Sequence, residues 1–130
     1  MKILSMPAAE KIDGYLIKDG KSLVAYTGGA EQMSDYVLVT RTGDSDAQKK
    51  YYTAPIDVTD YSSLIFQFES NVYPGLVTIV VDGTAYQVGR MASDTYVVNV
   101  SAKTGTIVVT CRLDEAGATL GYHIKQLYAQ

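Results

Sequence analysis

Tryptophan is absent from this 130-residue chain, cysteine and histidine occur once each as Cys111 and His123, and phenylalanine occurs only as Phe66 and Phe68. Each scarcity removes a class of function. One cysteine excludes an intrachain disulfide and any zinc site built on several thiolates. A serine or cysteine nucleophile needs a base within hydrogen-bond reach, yet His123 is the sole imidazole and no Gly-x-Ser-x-Gly elbow accompanies it. No catalytic residue is assigned and no enzyme is expected. Basic stripes are lacking too, because the eleven lysines and arginines are scattered apart from Lys49-Lys50 and the net charge is −3. Nucleic acid is therefore not an expected partner. No apolar run approaches the ~20 residues that span a bilayer. The opening residues Met1 to Pro7 lead into charged Glu10 and Lys11 where a signal peptide would carry its hydrophobic segment. We expect synthesis in the cytoplasm without a signal peptide, and no membrane insertion.

What the chain does have is valine, isoleucine, leucine and tyrosine, within a hydrophobic share of 47%. Branched and aromatic side chains fit a pleated surface, so strands are favoured over helices. The length suits one domain over residues 1–130, able to hold a core without metal or disulfide staples.

Two dipeptides set the frame. Asp19-Gly20 lies between Tyr15–Lys18 and Ser22–Tyr26, and Asp82-Gly83 lies between Leu76–Val81 and Ala85–Val88. A tight hairpin needs positive φ at its centre, and Asp-Gly supplies it cheaply. Elsewhere apolar residues alternate as on half-buried strands. Leu64, Phe66 and Phe68 share one face, as do Tyr96, Val98 and Val100, and Ile107, Val109, Cys111 and Leu113. The last run places Leu120, Tyr122, Ile124 and Tyr128 inward and leaves His123 outward, partly exposed beside Lys125. Tyr36–Arg41 and Lys50–Thr53 are further strands, and Ala30–Asp35 has room for one helical turn. Eight to ten short strands with turns between them predict an all-β, antiparallel two-sheet β-sandwich. Its expected core includes Phe66, Phe68, Ile79, Val98, Val109 and Ile124, with Cys111 as a small core hydrophobe.

The segment Pro55 to Leu64, running into an alternating strand, resembles one common in jelly-roll sandwiches of the galactose-binding-like and carbohydrate-binding-module type. The runs Tyr96–Ser101, Gly105–Val109 and Tyr122–Tyr128 resemble the same group, so the resemblance covers residues 55–128. Similar domains occur among phage and prophage tail and virion proteins. The resemblance implies a jelly roll and a non-enzymatic structural or adhesion module, a virion or tail-associated protein first of all. Its partners would then be copies of itself or other virion proteins, and its location the virion. Apolar residues of outward parity, Val80, Val97 and Val108, would meet neighbours in such an assembly. The alternative is a stand-alone carbohydrate-binding module recognising a cell-surface glycan. Sugar-binding members of the group stack a pyranose on Trp or Tyr, and here only tyrosine can serve.

Eleven tyrosines are present, and parity places Tyr86, Tyr96 and Tyr122 in the core. Tyr51, Tyr52 and Tyr73 are left as candidate ligand contacts, since adjacent strand residues face opposite sides and Tyr73-Pro74-Gly75 marks a loop tip. Asp44, Asp46 and Gln48, in the most polar stretch, are the candidate hydrogen-bonding partners for sugar hydroxyls. The acid pairs Asp44/Asp46, Asp57/Asp60 and Asp114/Glu115 sit at turns, where aspartate commonly bonds its own backbone. No cofactor is expected. A structural calcium held by such oxygens is left open, with its ligands unknown.

Overall fold

At both Asp-Gly dipeptides the backbone takes positive φ on consecutive residues, 51° and 81° at Asp19 and Gly20 and 50° and 85° at Asp82 and Gly83. Those angles belong to the mirror-image turn whose twist matches that of the flanking strands. They close the hairpins β1 (Tyr15–Lys18) to β2 (Lys21–Ser22) and β8 (Val77–Val81) to β9 (Thr84–Gly89). The computed structural model describes residues 14–69, 76–89, 93–117 and 120–130. Its other strands are β3 (Glu31–Gln32), β4 (Val37–Arg41), β5 (Lys49–Lys50), β6 (Tyr52–Asp57), β7 (Ser63–Glu69), β10 (Ser93–Asn99), β11 (Thr106–Leu113) and β12 (Gly121–Ala129). Twelve strands among the described residues exceed the expected count because β2, β3 and β5 are two-residue pieces. Ala30–Asp35 forms β3 and bends where a helical turn was expected.

The named strands pair antiparallel throughout, in two sheets. One runs β6-β11-β8-β9. The other runs β10-β7-β12, after which β1 and β4 share the free edge of β12 and carry β2, β3 and β5 beyond them. The inner faces meet in one core that holds Phe66, Phe68, Ile79, Val98, Val109, Cys111 and Ile124, all buried as parity requires. Tyr122 lies edge-on to Phe68, with ring centroids 5.2 Å apart. The fold is an antiparallel jelly-roll sandwich.

Three inward or outward assignments are corrected. The β12–β7 register shifts between Ile124 and Gln126, so one extra residue breaks the two-residue period. Leu127 is buried in place of Tyr128, which is half-buried and stacks on Tyr15 at 4.6 Å. Tyr86 is 41% exposed because β9 is the last strand of its sheet. His123 does point away from the core, yet it is only 6% exposed, because the ring of Tyr36 covers it at 3.6 Å. Among the described residues its Nδ1 has no hydrogen-bond partner.

Candidate functional site

The β6–β11 register places Tyr52 opposite Cys111. Both are fully buried, so the residues beside them, Tyr51 and Arg112, emerge together on the outer face of the four-stranded sheet. Tyr51 is 39% exposed. Its amide donates to the Gly28 carbonyl at 2.9 Å, and its own carbonyl accepts from the Ala30 amide at 3.1 Å. Gly28 has φ of 104°, and a Cβ there would overlap both the backbone and the ring of Tyr51. Only glycine lets the chain pass this close, so the loop fixes the ring's position.

Around that ring lies a cavity of about 210 Å³, lined by Arg41, Lys49, Lys50, Tyr51, Arg112 and Asp114, with Leu113 between them. Arg41 comes from β4 in the other sheet and ties the two sheets together. Its Nη1 donates to the Leu113 carbonyl at 3.2 Å, and its Nη2 meets Asp44 Oδ1 at 3.1 Å. Arg112 meets Asp114 Oδ1 through Nε at 2.8 Å, and the buried Thr78 hydroxyl donates to Asp114 Oδ2 at 2.6 Å. Burial pushes the Asp114 carboxyl upward, but the Thr78 hydroxyl, the Arg112 guanidinium and Gln87 more than offset it, so it lies below the ordinary carboxylate value. Asp114 is thus a fixed carboxylate. The site offers an aromatic face, guanidinium and ammonium donors and one acceptor, which suits binding a polar ring.

Farther along β6, Thr53 and Pro55 follow Tyr51 on the outward face. They line a second groove of about 260 Å³ with Ala25, Tyr26, Thr27 and Val108. Two residues of strand advance about 7 Å, so the groove begins one sugar ring's width from Tyr51.

Of the six residues singled out from the sequence, only Tyr51 lines the cavity. Tyr52 is fully buried, with its ring 4.7 Å from that of Tyr26 and its hydroxyl 2.9 Å from Ser22 Oγ. Burial pushes its phenol well above the ordinary value. Asp44 sits at the rim through its ion pair with Arg41. Asp46 is exposed in a short 3-10 turn, Asp46–Gln48, and the Gln48 amide is turned back to accept from the Ser45 hydroxyl at 2.9 Å. Tyr73 lies outside the described residues. Sequence reading missed Arg41 and Arg112, and considered Asp114 only in the turn pair with Glu115. The outward parity of Arg112 beside Cys111 and the adjacency of Lys49-Lys50 to Tyr51 were the available signals.

Among the described residues, no three His, Cys, Asp or Glu side chains converge as a metal would require. The acids are engaged separately, Asp57 Oδ1 by the Thr59 amide at 2.9 Å and Asp114 as above. The Cys111 thiol is buried and its pKa is pushed up by that burial, which leaves it a poor nucleophile.

No family model and no curated protein matches the chain. Solved structures do. A mutant of CBM29-2, a family 29 carbohydrate-binding module, matches at 15% identity and a TM-score of 0.56, with 89% of each chain covered. A family 35 carbohydrate-binding module from Cellvibrio japonicus matches at 16% identity and a TM-score of 0.55, covering 93% of this chain and 90% of its own. The family 36 carbohydrate-binding module in complex with calcium and xylotriose matches at 13% identity and a TM-score of 0.53, covering 82% and 92%. At these identities the likeness is one of fold.

Proposed function

We propose that this chain is a non-catalytic carbohydrate-binding module that takes a glycan on the outer face of the four-stranded sheet, a pyranose ring lying against Tyr51. The observation that carries the reading is the half-exposed Tyr51 ring held beside Arg112, Arg41 and Asp114 in one cavity. A sugar presents an apolar CH face and a rim of hydroxyls, and an aromatic platform edged by fixed donors and an acceptor matches both. The cavity is smaller than the ~300–1,000 Å³ of pockets that swallow a whole small molecule, so it suits one ring of a chain that continues along the groove of Thr53 and Pro55. That the fold neighbours are carbohydrate-binding modules supports this reading over a virion role. Calcium is not routed into it, because the acids of the described residues do not form a donor set. The test is a screen against neutral and acidic polysaccharides with Tyr51→Ala alongside. Retention by at least one polysaccharide, weakened in the variant, is expected; a chain retained by none overturns the reading.

One observation favours assembly as a second reading. Val97 is 62% exposed and pairs with Ile65, which pairs with Tyr128, which stacks on Tyr15. This apolar row crosses four strands on the outer face of the larger sheet, a surface suited to another copy or another virion protein.

A further inference from the structure

We propose that the sugar held at Tyr51 is anionic, carrying a carboxylate or a sulfate ester. The inference rests on the carbohydrate-binding reading and specifies its ligand. Four of the chain's eleven lysines and arginines, Arg41, Lys49, Lys50 and Arg112, line this one cavity of about 210 Å³, against two carboxylates, Asp114 in the lining and Asp44 at the rim. The chain as a whole carries −3. Its field near the cavity therefore opposes its net charge, the arrangement that selects a charged ligand instead of merely keeping a protein soluble.

Three of these cations, Lys49, Lys50 and Arg112, are not used up by their neighbours. Arg112 contacts Asp114 through Nε, and this leaves both terminal amines, the pair that grips a carboxylate or sulfate in parallel, out of that contact. Among the described residues Lys49 and Lys50 form no ion pair, whereas Arg41 is already held by the Leu113 carbonyl and Asp44. Asp114 is occupied on both oxygens, by Thr78 and Arg112, so its charge is balanced locally and its repulsion of an incoming anion is reduced. A neutral hydroxyl needs one donor here. An anion on the ring uses several.

Four cations around one ring-sized cavity differ from the stripe that a phosphate backbone requires, so the charge is read as specific to a ligand unit. The test compares matched chains by calorimetric titration. Oligogalacturonate is set against its fully methyl-esterified form, and a sulfated galactan oligosaccharide against the same oligosaccharide without sulfate, with single-stranded DNA as a non-sugar polyanion. We expect the charged member of at least one pair to bind about tenfold tighter or more, with the advantage falling as salt rises. The identity of that pair separates carboxylate from sulfate. Arg112→Gln and Lys50→Gln, both at half-buried or exposed positions, should erase the advantage while circular dichroism stays unchanged. Equal binding of charged and neutral members would overturn the inference and leave the carbohydrate reading standing, as would binding confined to other neutral glycans. DNA binding as tight as the charged sugar would overturn it as non-specific cation attraction. Failure to bind any glycan would overturn both.

Discussion

The ring of Tyr36 lies flat on the imidazole of His123, centroids 3.6 Å apart and planes 9° from parallel. Burial holds the imidazole below its ordinary value; Glu69 and Asp35 pull it upward and Lys125 pushes it down, and burial prevails. The unfolded chain therefore takes up a proton near pH 6.5, where the native state does not. Stability from this source is complete above about pH 6.5 and is lost as pH falls through the depressed native value. Urea unfolding should show a larger drop in midpoint between about pH 7.5 and about pH 5.5 for the native sequence than for His123→Phe, which keeps a ring under Tyr36. Equal drops would show that His123 is not titrating as described.

The two Asp-Gly turns differ in their surroundings, which separates backbone strain from contact. A Cβ on Gly83 meets nothing within 4 Å, whereas one on Gly20 would run into the Asp35 backbone. Gly83→Ala should cost about 1–2 kcal/mol, the left-handed penalty alone, and Gly20→Ala about 3 kcal/mol or more. Chemical denaturation of the two variants gives the comparison, and equal costs would place Asp35 away from the first hairpin.

Cys111 is sealed between β6 and β8. A thiol reagent should label it only through unfolding, so labelling should accelerate in step with denaturant. Cys111→Ser should destabilise by about 1–3 kcal/mol, since it buries a hydroxyl at an apolar site. Rapid labelling of the native protein would contradict that placement.

The hairpins and the inward sets were legible because their causes are local: Asp-Gly angles in one case, two-residue alternation in the other. Tyr128 was misplaced because the bulge at Lys125 depends on how β12 meets β7. His123 was misread because its cover, Tyr36, comes from 87 residues away in the chain and no strand pattern reveals it. The candidate site was legible by a single residue. Tyr51 was legible only as one of an adjacent pair with Tyr52, of which one had to face outward, but Arg41 and Arg112 converge only through the packing of two sheets. The basic cluster is a property of register, invisible in a chain whose lysines and arginines read as scattered.

Val97 and Val108 offer a check on assembly. Val108, 51% exposed, lines the groove beside Pro55, so the binding account already uses it; Val97 and its row belong to the opposite sheet. The binding account expects a monomer in sedimentation velocity at about 0.1 mM, a concentration that would populate a dimer of micromolar Kd. An oligomer dispersed by Val97→Lys would favour assembly through that row.

The most direct measurement is the glycan affinity of Tyr51→Ala and Val97→Ser against the native sequence, by calorimetric titration with the tightest polysaccharide fragment from the screen. Both side chains are exposed, so both variants should stay folded, and they lie on opposite faces of the sandwich. The account predicts that Tyr51→Ala weakens binding by at least about tenfold, the loss typical of truncating an aromatic anchor, and that Val97→Ser leaves it unchanged. Undiminished binding by Tyr51→Ala, or a loss confined to Val97→Ser, would contradict it.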